Sequence, residues 1–139
     1  MVAGNFPTSV KKSALRRRVL VVDDEALVRW AVTEVLTAAG YEVLEARDAT
    51  SAIRAVTDRR GQIDVVLLDL RLPDGNDLRV LESMVCLAPT AGIVLMTAYG
   101  TKEIEAEALR IGAWSVVAKP FDIVDLAPLV ADALAFRRS

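Results

Sequence analysis

The segment 65–75 reads VVLLDLRLPDG and joins an apolar run to a turn. The four residues 65–68 are all valine or leucine, which is typical of a strand buried on both faces of a sheet. The run ends at Asp69, a charged residue that core packing does not require. Proline, aspartate and glycine at 73–75 favour a tight turn. Asp69 is therefore predicted to lie between a buried strand and an exposed loop.

Short apolar runs alternate with helical patterns along the rest of the chain. Strands are predicted at 19–22, 41–46, 65–68, 93–96 and 114–118. Helices are predicted at 25–39, 49–59, 77–87 and 101–111, with a fifth after Pro120. Gly40 and Gly112 follow two of these helices, where a C-terminal cap belongs. Strict alternation favours parallel strands with right-handed crossovers. The sequence predicts an α/β fold, a flavodoxin-like doubly wound (βα)5 three-layer sandwich with strand order 2-1-3-4-5.

The composition limits the classes of function. The 139 residues suit one domain, and 53% apolar with 5% aromatic residues predicts a core of Val, Leu, Ile and Ala. A net charge of −2 gives no reason to expect nucleic acid or membrane partners. The chain has no histidine, which excludes a Ser–His or Cys–His pair. Cys86 is the single cysteine, and its apolar neighbours predict a buried or half-buried thiol in a reducing compartment.

Residues 1–17 are predicted to be a flexible N-terminal flank, and 18–139 the folded domain. The flank is rich in basic residues, and a solvated tail is a more common role for such residues than contact with an acidic partner. The basic run 16–18 is followed by only four apolar residues, which is too short for a signal peptide. No segment is long enough to cross a membrane, so a cytoplasmic protein is expected.

Polar residues follow four of the five predicted strands. Asp23 and Asp24 follow the first strand, Asp69 the third, Thr97 the fourth and Lys119 the fifth. In a doubly wound sheet, these strand ends meet in one crevice. Three clustered carboxylates repel one another unless a cation joins them, and Mg²⁺ prefers oxygen ligands that it shares with phosphate. The sequence therefore predicts Mg²⁺ as cofactor, Asp69 as nucleophile, and Thr97 and Lys119 as groups that stabilise phosphoryl oxygens.

Four motifs in the same order resemble a known family. They are VVDDE at 21–25, LDLRLPDG at 68–75, MTAYG at 96–100 and AKPF at 118–121. Together they are similar to the receiver domain of bacterial two-component response regulators, over nearly the whole predicted domain. The sequences TAYG and LRLPDG are most similar to receivers of the NtrC type, which are attached to σ54 activators.

The resemblance implies a role for each matched acidic position. Asp69 would be the phosphorylation site, with a cognate histidine kinase as phosphoryl donor. Asp24 would bind Mg²⁺ directly, and Asp23 would act mainly through metal-bound water. The backbone carbonyl of Arg71 would complete the protein ligands of the metal.

The resemblance also implies a conformational switch. Thr97 would form a hydrogen bond with the phosphoryl group and Lys119 an ion pair, while Tyr99 would turn inward. The peptide bond before Pro120 would be cis. The face of the fourth helix, fifth strand and fifth helix would then change shape. This change would control an output domain that is absent from this chain, and the expected output is transcription. The same face is a candidate for homodimer formation.

Four other functions share part of this sequence pattern. A stand-alone receiver would act by protein–protein contact or in a phosphorelay, and a receiver independent of phosphate would not need the complete acid set. A phosphatase of the haloacid-dehalogenase type also forms an aspartyl phosphate, but needs a second aspartate where Arg71 stands. A flavin-binding module would need a loop that binds phosphate after the first strand, where Asp23 and Asp24 would repel it.

The helical patterns also predict packing. Leu27, Ala31 and Val35 form the predicted core stripe of the first helix, and Arg29 is predicted to lie outward. Trp30 falls at the border of the stripe, where packing is favoured over an exposed partner or dimer contact. Pro128 would break a helix that begins after Asp122, so the fifth helix is predicted to begin later.

The remaining acidic and aromatic positions are given structural roles. Asp125 is predicted to cap the fifth helix, Asp77 to cap the third, and Asp74 to make the turn after the third strand. Trp114 opens the edge strand, where packing and an exposed contact are equally expected.

Overall fold

A computed structural model describes residues 16–75, 78–98 and 100–138 of the chain. The strands are β1 Arg18–Val22, β2 Glu42–Ala46, β3 Val65–Asp69, β4 Gly92–Thr97 and β5 Ser115–Ala118. The α-helices of these ranges are α1 Ala26–Ala38, α2 Ala49–Asp58, α3 Arg79–Leu87, α4 Lys102–Ile111 and α5 Leu126–Arg138. A short 3₁₀ turn, Ile123–Asp125, precedes α5.

All five strands form one parallel sheet in the order β2-β1-β3-β4-β5, which confirms the predicted fold. Every residue of β3 and β4 is buried, because helices cover both faces of the sheet. The bounds differ from the prediction by one residue at several strands, so that Arg18 joins β1 and Asp69 ends β3.

Side chains of each strand alternate between two cores. On one side, Leu20, Val66 and Leu95 pack with residues of α2 and α3. On the other side, Val21 and Leu67 pack with residues of α1 and α5. The period of two follows from strand geometry, and it gives a three-layer arrangement with the sheet in the middle.

Local chemistry explains where several helices begin and end. Asp48 caps α2, since its carboxylate accepts a hydrogen bond from the Ser51 N–H at 2.8 Å. The Thr101 hydroxyl accepts one from the Ile104 N–H at 3.1 Å and caps α4. Gly40 and Gly112 follow α1 and α4 with φ of 100° and 138°, which confirms their predicted place at the helix ends.

The predicted core stripe of α1 is wrong. Leu27 is 81% exposed and Trp30 is 62% exposed, whereas Val32 and Leu36 are fully buried. Leu27 and Leu36 are nine residues apart, which is about two and a half helical turns, so they lie on opposite faces. The apolar residues of α1 extend around the helix, and packing against the sheet and α5 selects the face with Val32.

Two substitutions test this orientation of α1. Val32→Ala is expected to lower the free energy of unfolding by about 2 kcal/mol, because it leaves a cavity in the core. Leu27→Ala should change it by less than about 0.5 kcal/mol, since the side chain is in water. Urea unfolding followed by circular dichroism measures both. Equal losses in the two variants would contradict the orientation.

The single cysteine of the chain lies on α3. Cys86 is exposed, which corrects the prediction of a buried thiol. It lies two residues after buried Met84 and hence roughly 200° around α3 from it.

Pro128 is the third residue of α5, in the first turn, which confirms the late start of that helix. The Asp122 carboxylate accepts from the Val124 N–H at 3.2 Å and caps the preceding 3₁₀ turn.

The aromatic residue before β5 is half-buried and packs against the core on the α1 and α5 side. Trp114 therefore has a packing role in this structure. The predicted cap of the third helix, Asp77, lies outside the described residues. Among the helices of the described ranges, none combines the length and apolar character needed to span a bilayer.

Candidate functional site

Asp23 follows β1 directly and is fully buried. Its Oδ1 accepts a hydrogen bond from the Glu25 N–H at 2.9 Å, which fixes the turn into α1. Its Oδ2 accepts one from the Lys119 Nζ at 2.8 Å. Its backbone N–H donates to the Ala46 carbonyl of β2 at 3.1 Å. Each polar group of this buried residue therefore has a partner that orients it.

Asp69 is the last residue of β3 and is 6% exposed. Its Oδ1 accepts a hydrogen bond from the Arg71 N–H at 3.1 Å, and its Oδ2 accepts one from the Lys119 Nζ at 3.2 Å. The next residue, Leu70, donates its N–H to the Met96 carbonyl at 2.9 Å, so the ladder with β4 continues past the carboxylate. The carboxylate is thus held at the mouth of the sheet, with the loop beginning at Leu70 beside it.

Thr97 and Lys119 come from the two strands on the other side of Asp69. Thr97 ends β4 and is 2% exposed. Lys119 follows β5 and donates its backbone N–H to the Thr97 carbonyl at 2.8 Å. The Lys119–Pro120 bond is cis, as the resemblance to the receiver family implied. Neighbouring strands thus bring four of the predicted residues, Asp23, Asp69, Thr97 and Lys119, to one rim of the sheet.

The charges of this rim perturb two pKa values. Burial raises the pKa of the Asp69 carboxyl above its ordinary 3.8, and the nearby charge of Asp23 acts in the same direction. The Arg71 N–H and the Lys119 charge oppose that rise. Burial disfavours the charge on Lys119, but its hydrogen bond to Asp23 and the charges of Asp69 and Asp23 outweigh it. The pKa of the amine therefore lies above its ordinary 10.5.

Three carboxylates are close enough to share one cation. Asp23, Asp24 and Asp69 each offer an oxygen, and these oxygens lie within 4.8 Å of one another. Asp24 is exposed and opens the cluster to water, whereas the other two residues are buried. Mg²⁺ prefers carboxylate oxygens and keeps several waters. The donor set therefore fits a hard divalent cation.

Arg29 is a contact of the site that the sequence interpretation missed. Its Nη1 donates to the Asp23 carbonyl at 2.7 Å, and its Nε donates to the Glu45 Oε1 at 3.1 Å. The side chain thus ties the end of β1 to β2 from its place on α1. The helical position of Arg29 suggested an outward residue, and only the three-dimensional arrangement shows this role.

An apolar pocket adjoins the site. It has a volume of about 380 Å³ and is lined mainly by Val28, Pro120, Phe121 and Ile123, together with Glu25 and Lys119. Tyr99, the predicted switch aromatic, lies outside the described residues. The Arg71 side chain is exposed, and its backbone N–H contacts Asp69.

Comparison with known proteins agrees with the fold. The model of the response regulator receiver domain matches residues 19–131. Regulatory protein AtoC of Escherichia coli is 37% identical over 117 residues, which is 84% of this chain and 25% of AtoC. Sporulation initiation phosphotransferase F of Bacillus subtilis is 32% identical over 112 residues, which is 81% of this chain and 89% of that protein.

A solved structure shows the same fold. The receiver domain protein of Methanospirillum hungatei, described as CheY-like, has a TM-score of 0.82 and 26% identity. The match covers 88% of this chain and 97% of that one. The matched curated relatives also include regulators named NtrC and PilR, as the predicted NtrC-type resemblance requires.

The fold and the site define a class of protein, namely a doubly wound α/β domain with a cluster of three aspartates at the carboxyl ends of its strands. The chain belongs to the response regulator receiver domain family, whose members are signalling domains of two-component systems. It spans about a quarter of the length of AtoC, and nearly all of phosphotransferase F.

Proposed function

We propose that Asp69 accepts a phosphoryl group from the phosphohistidine of a cognate histidine kinase. One observation carries this proposal: the Asp69 carboxylate ends the central strand β3, beside Lys119 and the acid cluster. One of its oxygens would attack phosphorus and form an acyl phosphate. The bond from phosphorus to the donor imidazole nitrogen would break, and its electron pair would leave with the imidazole.

The neighbouring residues would hold the cofactor and the transferred group. Asp23, Asp24 and Asp69 would bind Mg²⁺, with the Arg71 backbone carbonyl as a further ligand. The cation would supply positive charge that offsets the carboxylates and the phosphoryl oxygens. Lys119 would pair with a phosphoryl oxygen once that group arrives, and its raised pKa keeps the amine charged at neutral pH.

Phosphorylation would act as a switch and not as a step in turnover of a substrate. The Thr97 hydroxyl would donate a hydrogen bond to the phosphoryl group, and Tyr99 would turn inward. A phosphoryl group adds about 1.5 to 2 negative charges, which is enough to bias a two-state segment. The face of α4, β5 and α5 would change shape and control an output, which we propose is transcription. The same face would form a homodimer. The acyl phosphate would be lost only by its own hydrolysis.

A second candidate function has support from one relative. The chain covers 89% of sporulation initiation phosphotransferase F, so a receiver can be nearly the whole of a protein of this family. The alternative is therefore a stand-alone receiver that acts by protein–protein contact or in a phosphorelay. In both cases the cytoplasm is the proposed location, and the same phosphorylated residue is expected.

Phosphorylation of the wild-type chain tests the proposal. Incubation with acetyl phosphate and Mg²⁺ is expected to increase the intact mass by one phosphoryl group. Because reduction of an aspartyl phosphate with borohydride gives homoserine, peptide mass spectrometry should place homoserine at position 69. Chelation of Mg²⁺ with EDTA should prevent the adduct, since the carboxylates then repel the incoming phosphate.

A control with inorganic phosphate in place of acetyl phosphate should give no adduct, because it has no activated leaving group. The proposal would be contradicted by an unchanged mass with acetyl phosphate and Mg²⁺. It would also be contradicted by homoserine at another aspartate.

A further inference from the structure

Asp74 contacts a helix that lies far from it in the sequence. Its Oδ1 accepts a hydrogen bond from the Ala49 N–H at 2.7 Å. Its Oδ2 accepts hydrogen bonds from the Thr50 N–H at 3.0 Å and from the Thr50 hydroxyl at 2.6 Å. These three bonds lower the pKa of the Asp74 carboxyl below its ordinary value. The loop after β3 is therefore attached to the first turn of α2, in addition to its own turn contacts.

The contact is not needed to cap α2. That helix already has a complete cap, in which Asp48 and Ser51 exchange hydrogen bonds. A second carboxylate at the same end is partly unfavourable, since the charge of Asp74 disfavours the ionised form of Asp48. What the Asp74 contact adds is the attachment of the loop after β3 to α2.

The loop between Asp69 and Asp74 is short and internally fixed. Leu72 is buried, and it exchanges two backbone hydrogen bonds of 3.3 Å with Gly75. A Cβ atom at Gly75 would lie 2.8 Å from the Val80 Cγ2 and 3.3 Å from the Ala49 Cβ, so the loop is closely packed between α2 and α3. Movement of Asp74 would therefore be transmitted to the backbone that precedes it.

The other end of this loop meets the acid cluster. The Arg71 N–H donates to the Asp69 Oδ1 at 3.1 Å, and Arg71 is three residues before Asp74. From these contacts we propose that Asp74 is a positioning residue for the acidic site. Its attachment to α2 holds the Arg71 backbone and the Asp69 carboxylate in the arrangement that binds a divalent cation. This inference rests on the proposed function, because it concerns the cation of that same site.

Matched variants at the two caps of α2 test the inference. Asp74→Ala removes the attachment, and Thr50→Val removes one of its three hydrogen bonds with little change in shape. Asp48→Ala is the control, since it removes a carboxylate from the same helix end but not from the loop. Mg²⁺ alone is titrated into each unphosphorylated protein, and the amide signals of Asp69 and Arg71 are followed by NMR. Amide hydrogen exchange of the loop is measured without metal.

Asp74→Ala is expected to weaken Mg²⁺ binding about tenfold, the size of effect seen when a partner of a metal ligand is lost. Thr50→Val should weaken it by a smaller factor, and both should accelerate exchange of the Arg71 amide. Asp48→Ala should lower the melting temperature but leave the Mg²⁺ dissociation constant unchanged.

Equal Mg²⁺ affinities in Asp74→Ala, Thr50→Val and wild type would overturn the inference, as would an equal loss in Asp48→Ala. If Asp74→Ala does not fold, Thr50→Val decides the question through the same two measurements. A wild type that binds Mg²⁺ but gains no phosphoryl group would contradict the proposed function and leave the result for Asp74 standing.

Discussion

Asp69→Asn is expected to abolish formation of the acyl phosphate. The amide of asparagine has nearly the shape of the carboxylate, but it is a poor nucleophile toward phosphorus. Intact-mass measurement with acetyl phosphate and Mg²⁺ should therefore show no adduct in this variant. Asp132→Asn, on the exposed face of α5, is the control and should be phosphorylated like the wild type. An adduct of undiminished yield in Asp69→Asn would place the phosphorylation elsewhere.

The same substitution should stabilise the fold in the absence of divalent cations. The pKa of Asp69 is raised in the folded chain, mainly by burial. The ionised carboxylate therefore opposes folding at pH values above its ordinary pKa of 3.8. Below pH 3.8 the carboxyl is protonated in both the folded and the unfolded chain, and this cost disappears. The melting temperature of Asp69→Asn should thus exceed that of the wild type at pH 7, and the difference should shrink as the pH falls. A lower melting temperature at pH 7 would contradict the assigned electrostatics.

Lys119→Met is expected to lower the free energy of unfolding by about 3 kcal/mol at pH 7 without Mg²⁺, since loss of one partner leaves buried charges uncompensated. The Lys119 Nζ lies 2.8 Å from the Asp23 Oδ2 and 3.2 Å from the Asp69 Oδ2. Methionine is unbranched and only one heavy atom shorter than lysine, so the change is mainly one of charge. Urea unfolding measures the loss, and Lys102→Met at the exposed start of α4 is the matched control.

The pH dependence of Lys119→Met has a definite sign. Because the pKa of Lys119 is raised in the fold, its stabilising effect is complete below 10.5 and is lost as the pH rises through the higher value. The difference between wild type and Lys119→Met should therefore be constant near neutral pH and vanish in strong alkali. Mg²⁺ should stabilise the variant more than the wild type, because the amine no longer occupies the carboxylate oxygens. A loss no greater than that of Lys102→Met would contradict the role of this ion pair.

The central part of the site could be predicted because it depends on strand ends. Valine and leucine runs identify buried parallel strands, and the residue after each run lies at the same edge of the sheet. Asp23, Asp69 and Lys119 follow from that rule alone, and the structure brings these three together. The cis bond before Pro120 came instead from resemblance to the family, since sequence pattern does not determine peptide isomers.

The errors have a common physical cause. Leu27 and Trp30 belong to a helix with apolar residues on several faces, so periodicity did not determine which face meets the sheet. Asp74 was interpreted from its neighbours as a turn residue, although its carboxylate contacts a helix 24 positions earlier in the chain. Arg29 was interpreted as outward for the same reason. Contacts between distant segments depend on how helices lie against the sheet, and short sequence patterns do not specify that arrangement.

The in-register pairing of the strands has a consequence for how this domain can evolve. Asp69 pairs with Met96, and Thr97 pairs with Ala118, so each polar residue stands at a fixed count from the start of its strand. Exchange of one branched aliphatic residue for another within β3 or β4 leaves that count unchanged. Insertion or deletion of a single residue would turn every following side chain to the opposite face. Proteins that keep this chemistry should therefore differ in the aliphatic residues of their strands but have strands of constant length. Insertions and deletions should occur in the connections at the opposite edge of the sheet.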